Sequence, residues 1–156
     1  MCYNHGMLLS PRQFHEFCGA YYREVCGCCR ASGVPVLAVD TDGNAMEFTG
    51  IAASYGVNCI YPYEVKAGND LFALRKRHPC FVLVGWLEKE IVNEGNEALI
   101  EPEIMRKVPE LLKHGGYFPN GDHGIQPWVT FGGLCRFMTI LHEVCGNPEG
   151  EFPRVR

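Results

Sequence analysis

No apolar run in this chain approaches the roughly 18 residues that a helix needs to cross a bilayer, so no helical membrane span is expected. Positive charge is also scarce: 14 Lys and Arg stand against 18 Asp and Glu, for a net charge of −4. That balance offers no basic footprint for nucleic acid or for an anionic membrane surface. The opening Met1-Cys2-Tyr3-Asn4-His5-Gly6 lacks the basic start and apolar h-region of a secretory signal. Linkers, low-complexity stretches and charge runs are missing as well, so residues 1–156 read as a single domain. There is no second Cys-x-x-Cys to partner Cys26-Gly27-Cys28-Cys29, which removes a four-thiolate zinc site. The 9 cysteines are therefore read as reduced thiols in a cytoplasmic protein, and those of the Cys26–Cys29 cluster as buried or half-buried small hydrophobes.

What is present is a run of strand–loop–helix units. Ser10-Pro11-Arg12-Gln13 is a helix start, with a Ser cap, Pro at the first helical position and Gln closing a capping box. The helix is expected to reach Ser32 and stop at Gly33. Val36-Leu37-Ala38-Val39 is a continuous apolar run, the pattern of a strand buried on both faces. A short helix then ends near Tyr55-Gly56, and the second strand is Asn58-Cys59-Ile60-Tyr61. A helix over about 70–77 leads to a third strand, Cys80 to Val84. The helical region from Asn96 to His114 holds Pro102 and Pro109, so it reads as two helices or one kinked helix. Tyr117-Phe118 is a short fourth strand. The last helix, about Thr130 to Cys145, repeats Phe131, Leu134, Cys135, Met138, Leu141 and Cys145 at helical spacing. The tail to Arg156 is read as loop.

Alternating helices and apolar strands imply a parallel α/β sheet with right-handed crossovers. Four units make half of a (β/α)8 TIM barrel, and the chain starts without a strand ahead of its first helix. In such a barrel the polar groups at strand ends carry the chemistry. Those groups are Asp40-Thr41-Asp42-Gly43-Asn44, Pro62-Tyr63-Glu64-Val65, Gly85-Trp86-Leu87-Glu88-Lys89 and Gly121-Asp122-His123-Gly124. Asp40 and Asp42 are two apart at a strand end, which points both side chains one way. With His123 they form a candidate set for a divalent ion such as Zn, Mn or Fe. Helix capping by the aspartates and a metal-free polar site are the competing accounts.

These strand ends resemble the uroporphyrinogen decarboxylase superfamily, which joins the heme-pathway decarboxylase to corrinoid-linked methyltransferases. The resemblance rests on the leading Ser10-Pro11-x-x-Phe14 helix and on Val39-Asp40-x-Asp42-Gly43-Asn44. It continues through Pro62-x-Glu64-Val65-x-Ala67-Gly68, Gly85-x-x-x-Lys89, Gly115-Gly116-Tyr117 and Asp122-His123-Gly124-Ile125. It implies a TIM barrel of which this chain matches the C-terminal half. The decarboxylase branch uses no metal or cofactor; it protonates a pyrrole so that the ring accepts the electrons released with carbon dioxide. The His-Gly-Ile loop carries His123 over as a substrate-binding or proton-managing residue.

The methyltransferase branch holds zinc with a His-x-Cys and a later Cys, and here the matching positions are Asp40, Asp42 and His123. The first expectation is thus a decarboxylase-like lyase acting on a tetrapyrrole or related small carboxylated molecule. His123, Asp42 and Glu64 are its catalytic candidates, and Asp122, Trp86 and Lys89 its substrate-binding candidates. The alternatives are a corrinoid-dependent methyltransferase-type domain with an altered Asp/Asp/His metal site, and a truncated, non-catalytic paralogue serving as a binding or assembly module. Trp86 and Trp128 flank strand ends and could wall an apolar pocket. A half-barrel leaves two sheet edges and an apolar face bare, so a homodimer or larger homo-oligomer is expected.

Overall fold

The computed structural model describes residues 1–94 and 96–147, so the loop tail beyond 147 lies outside the described residues. The chain opens with an antiparallel hairpin the sequence did not announce, β1 (Cys2–Tyr3) and β2 (Gly6–Met7). Helices α1 (Pro11–Phe17) and α2 (Gly19–Ala31) follow. Strands and helices then alternate as β3 (Ala38–Thr41), α3 (Met46–Ser54), β4 (Cys59–Pro62), α4 (Leu71–Arg77) and β5 (Val82–Leu87). After them come α5 (Lys89–Glu94), α6 (Glu97–Leu112), β6 (Tyr117–Gly121) and α7 (Phe131–Val144). Strands β3 to β6 form a 4-stranded parallel sheet in sequence order. The topology is compatible with part of a TIM-barrel-like fold.

Register divides the sheet into two unlike faces. Ile60, Leu83 and Tyr117 share one face and are buried with Phe48, Leu74, Val108 and Phe137 of the helices. On the other face Ala38, Asp40 and Phe118 are exposed, and Tyr61, Val82 and Val84 are half-buried. The first strand was expected to be buried on both faces. It is instead an edge strand that pairs only with β4, and its Ala38 and Asp40 are exposed.

Two other expectations change in detail, and a third, the Asn96–His114 region, resolves to one helix rather than two. The helix from Ser10 is broken at Cys18, although its capping box forms as read. The break fits the crowding at Gly19, where a Cβ would lie 2.5 Å from the Tyr55 hydroxyl. Pro102 and Pro109 both sit inside one continuous α6. An interior proline costs about 3 kcal/mol, and here that is opposed by burial of Ile100, Ile104, Val108 and Leu111. The fourth strand runs on to Gly121 because pairing with β5 extends from Leu83↔Tyr117 to Leu87↔Gly121.

The Cys26 and Cys29 pair lines an apolar groove of about 310 Å³ between α2 and β3, with Tyr21, Tyr22 and Val25. All 9 cysteines are free thiols, as the sequence suggested.

Candidate functional site

The carboxyl ends of the parallel strands bring four polar side chains together. Asp42 follows β3, Glu64 follows β4, Lys89 begins α5 just after β5, and His123 follows β6. Each exit is fixed by backbone contacts that the residues on either side dictate. Behind Asp42, Gly43 has φ 76 and lies so close to the hairpin that a Cβ would be 2.3 Å from the Tyr3 carbonyl. The Asn44 N–H donates to that carbonyl at 3.1 Å, and the Cys2 N–H donates to Thr41 Oγ1 at 2.9 Å. Tyr63 and Trp86, at the next two exits, have φ 55 and φ 70, a region costly for residues with a Cβ. Such strain persists only where the surroundings over-determine it, and it concentrates at functional turns.

Two buried polar side chains provide that over-determination. Asp122 accepts from the Val65 N–H at 2.7 Å and from the Lys89 N–H at 3.0 Å, so it ties the second and third exits to the fourth. Burial raises its pKa, and those two N–H donors with the nearby Lys89 and His123 only partly oppose the rise. Asn69 donates to the carbonyls of Gly43 and Glu64 at 2.9 and 2.8 Å and accepts from the Ala45 N–H, joining the first exit to the second. Its own carbonyl accepts the Trp86 indole N–H at 2.7 Å.

Within this frame His123 Nε2 lies 3.5 Å from Asp42 Oδ1 and 3.8 Å from Glu64 Oε1. Its other ring nitrogen, Nδ1, lies 3.4 Å from Lys89 Nζ, whereas Asp122 Oδ1 is farther away at 4.0 Å. Lys89 Nζ is also 4.0 Å from Glu64 Oε2. Glu64 Oε1 accepts the Gly43 N–H at 2.7 Å, which fixes that carboxylate against the β3 exit. The side chain of Asp42 is 69% exposed, that of His123 28% and that of Glu64 16%, so the group opens to solvent from one side.

An ammonium can only donate, so in the neutral ring the contact with Lys89 matches the tautomer in which Nδ1 accepts and Nε2 carries the proton. The imidazole then presents an N–H toward Asp42, Glu64 and the open mouth. The ligand atoms of Asp42, Glu64 and His123 also all lie within 4.8 Å of one another. Two carboxylates and an imidazole suit a divalent ion of intermediate hardness, with positions left for water or substrate. A metal on Nε2 would need the proton moved to Nδ1, where it would face the Lys89 ammonium. Cation binding and the Lys89–His123 contact therefore oppose each other.

Glu64 takes the place in this group that the sequence reading gave to Asp40. Asp40 is exposed and lies within β3, whereas Asp42 lies beyond the strand's last residue, so strand alternation does not hold the two together. Asp122 belongs to the site as a brace, with 2% of its side chain exposed. Trp86 is turned into the helix layer, edge-on to Phe72 and beneath Lys107, while Trp128 is exposed. The sequence reading missed Asn69, Glu103 and Lys107. Asn69 directly follows the Ala67-Gly68 turn of a motif already singled out. Glu103 and Lys107 are an i,i+4 pair of opposite charge, but spacing alone does not distinguish a buried pair from a surface one. No family model, no curated protein and no solved structure matches the chain.

Proposed function

We propose that the open mouth at the strand ends is an acid–base site for a small carboxylated substrate. In this reading His123 handles the proton, Asp42 and Glu64 set the field around it, and Lys89 orients the ring and meets a substrate carboxylate. The observation that carries it is the 3.4 Å contact of Lys89 Nζ with His123 Nδ1, which aims an Nε2–H donor into the mouth. The chemistry is the proton-assisted decarboxylation implied by the resemblance to uroporphyrinogen decarboxylase. Lys89 gives a proton to Nδ1 as the Nε2–H protonates the electron-rich ring, which creates the electron sink; the C–C bond pair flows into it as carbon dioxide departs, a proton from solvent replaces the lost carboxylate, and solvent restores the Lys89 ammonium.

Incubation of the chain with a reduced, carboxylated tetrapyrrole should release carbon dioxide. His123→Gln should slow release by the roughly 10²–10⁴-fold typical of losing a general acid. Equal rates in the two folded proteins would remove His123 from the chemistry, and no release from the unaltered chain would contradict the decarboxylase reading.

A second reading has its own observation, the convergence of Asp42, Glu64 and His123 ligand atoms within 4.8 Å. In it the same mouth holds zinc, manganese or iron. An added ion should then raise the melting temperature by mass action, and Asp42→Ala should abolish the rise. The assembly expectation belongs to the same proposal: a second copy covers the sheet face that carries the exposed Phe118 and the half-buried Val84. A monodisperse monomer in light scattering would contradict it. Among the described residues no helix is long and apolar enough to cross a membrane; the proposal includes a cytoplasmic location, which the free cysteines support.

A further inference from the structure

The turn that launches Lys89 is held from two sides by charged side chains. From the mouth, the Asp122 N–H donates to the Leu87 carbonyl at 2.8 Å and the Asp122 carboxylate accepts the Lys89 N–H. From the helix layer, Lys107 Nζ donates to the Trp86 carbonyl at 2.8 Å, and Glu103 Oε1 accepts the Glu88 N–H at 3.0 Å. The backbone polar groups are thus claimed in strict alternation from Trp86 to Lys89. Lys107 and Glu103 also pair with each other, and Arg106 donates to the second Glu103 oxygen at 2.6 Å. Lys107 lies 4.4 Å from the centre of the Trp86 ring. Lys107 is 1% exposed and Glu103 4%, which is an expensive place to keep two charges that apolar side chains could replace. Their hydrogen bonds, beyond the pair itself and Arg106, converge on the one β5 exit in which a residue with a Cβ holds φ 70.

We infer that Glu103 and Lys107 are positioning residues that fix the Trp86–Lys89 turn and through it hold the Lys89 ammonium against His123. The inference rests on the reading of Lys89 as the group that orients His123. Neither residue touches the mouth. Loss of the pair frees the Trp86 carbonyl and the Glu88 N–H, lets the left-handed turn relax, and withdraws Lys89 from Nδ1.

The test is the ratio of the two His123 tautomers, read from the NMR shifts of its imidazole nitrogens in metal-free protein above the pH at which the ring carries two protons. The variants are Lys89→Met, Glu103→Gln, Lys107→Met and the double change Glu103→Leu with Lys107→Met. The double change replaces the pair by apolar groups and keeps the helix layer filled if the single changes unfold the chain. The expected result is an Nε2–H excess in the unaltered protein that falls by roughly tenfold in Lys89→Met and in the folded pair variants, the scale of coupling within one hydrogen-bond network. A purely structural pair would lower the melting temperature and leave the ratio alone. An excess lost in Lys89→Met but kept in the double variant overturns this inference alone. No excess in the unaltered chain overturns the orientation of His123 by Lys89 and this inference with it.

Discussion

Two charged clusters of similar composition sit on either side of the β5 exit and are built in opposite ways. Glu103 and Lys107 are sealed in the helix layer, and their hydrogen bonds are short and directed at fixed partners. Asp42, Glu64, Lys89 and His123 face solvent, and their mutual distances run from 3.4 to 4.0 Å. The first cluster is saturated and has nothing left to offer a ligand. The second is held by its backbone supports while its functional atoms remain under-partnered. Residue type alone does not make a site; the difference lies in which atoms the fold leaves free.

The sharpest way to break the comparison is to delete one charge from each cluster. Lys107→Ala removes one of the two cations on the buried Glu103 carboxylate and the donor to the Trp86 carbonyl, and chemical denaturation should show a loss of about 3 kcal/mol. Asp122→Ala, which strips acceptors from the half-buried Val65 and Lys89 N–H groups, should cost about 1–3 kcal/mol. An acid titration sharpens the contrast further. Burial alone would raise the pKa of Glu103, but hydrogen bonds from Lys107, Arg106 and the Glu88 N–H carry it below the usual range. The unfolded chain therefore binds the proton first, so this contribution is complete above the ordinary Glu value of about 4.3 and is lost as pH falls toward the lower folded value. Glu103→Gln should flatten that part of the acid limb in a pH series of melts, and an unchanged limb would contradict the assignment. The smallest effect is expected at Asp42→Ala, within about 0.5 kcal/mol in the same denaturation experiment, because the side chain is largely exposed and braces nothing. A loss as large as that of Lys107→Ala would mean that the mouth is structural after all.

Much of the sheet was legible because strand burial writes itself into composition. Ile60 and Leu83 lie in apolar runs, and the four predicted strands do pair in parallel and in order. The edge position of β3 was not legible, since Val36-Leu37-Ala38-Val39 is apolar whether or not a neighbour covers it. The break at Cys18 was hidden because the close approach of Tyr55 to Gly19 comes from the following unit and is not written in the helix's own residues. At the site, Asp42, Glu64, Lys89 and His123 could be found from their place after strands. Asp40 was over-read because alternation was carried past the strand's end. The supports were harder: Asn69, Glu103 and Lys107 matter through backbone groups distant in sequence, and one chain's letters do not display such pairings.

The most direct test of the central claim is the protonation pattern of the His123 ring in the unaltered, metal-free protein. NMR shifts of the two imidazole nitrogens distinguish a bare Nδ1 from a protonated one. The account predicts that the neutral form of the ring carries its proton on Nε2, with Nδ1 accepting from Lys89, so that the donor faces the open mouth. A ring protonated mainly on Nδ1, or an equal mixture of tautomers, would contradict it.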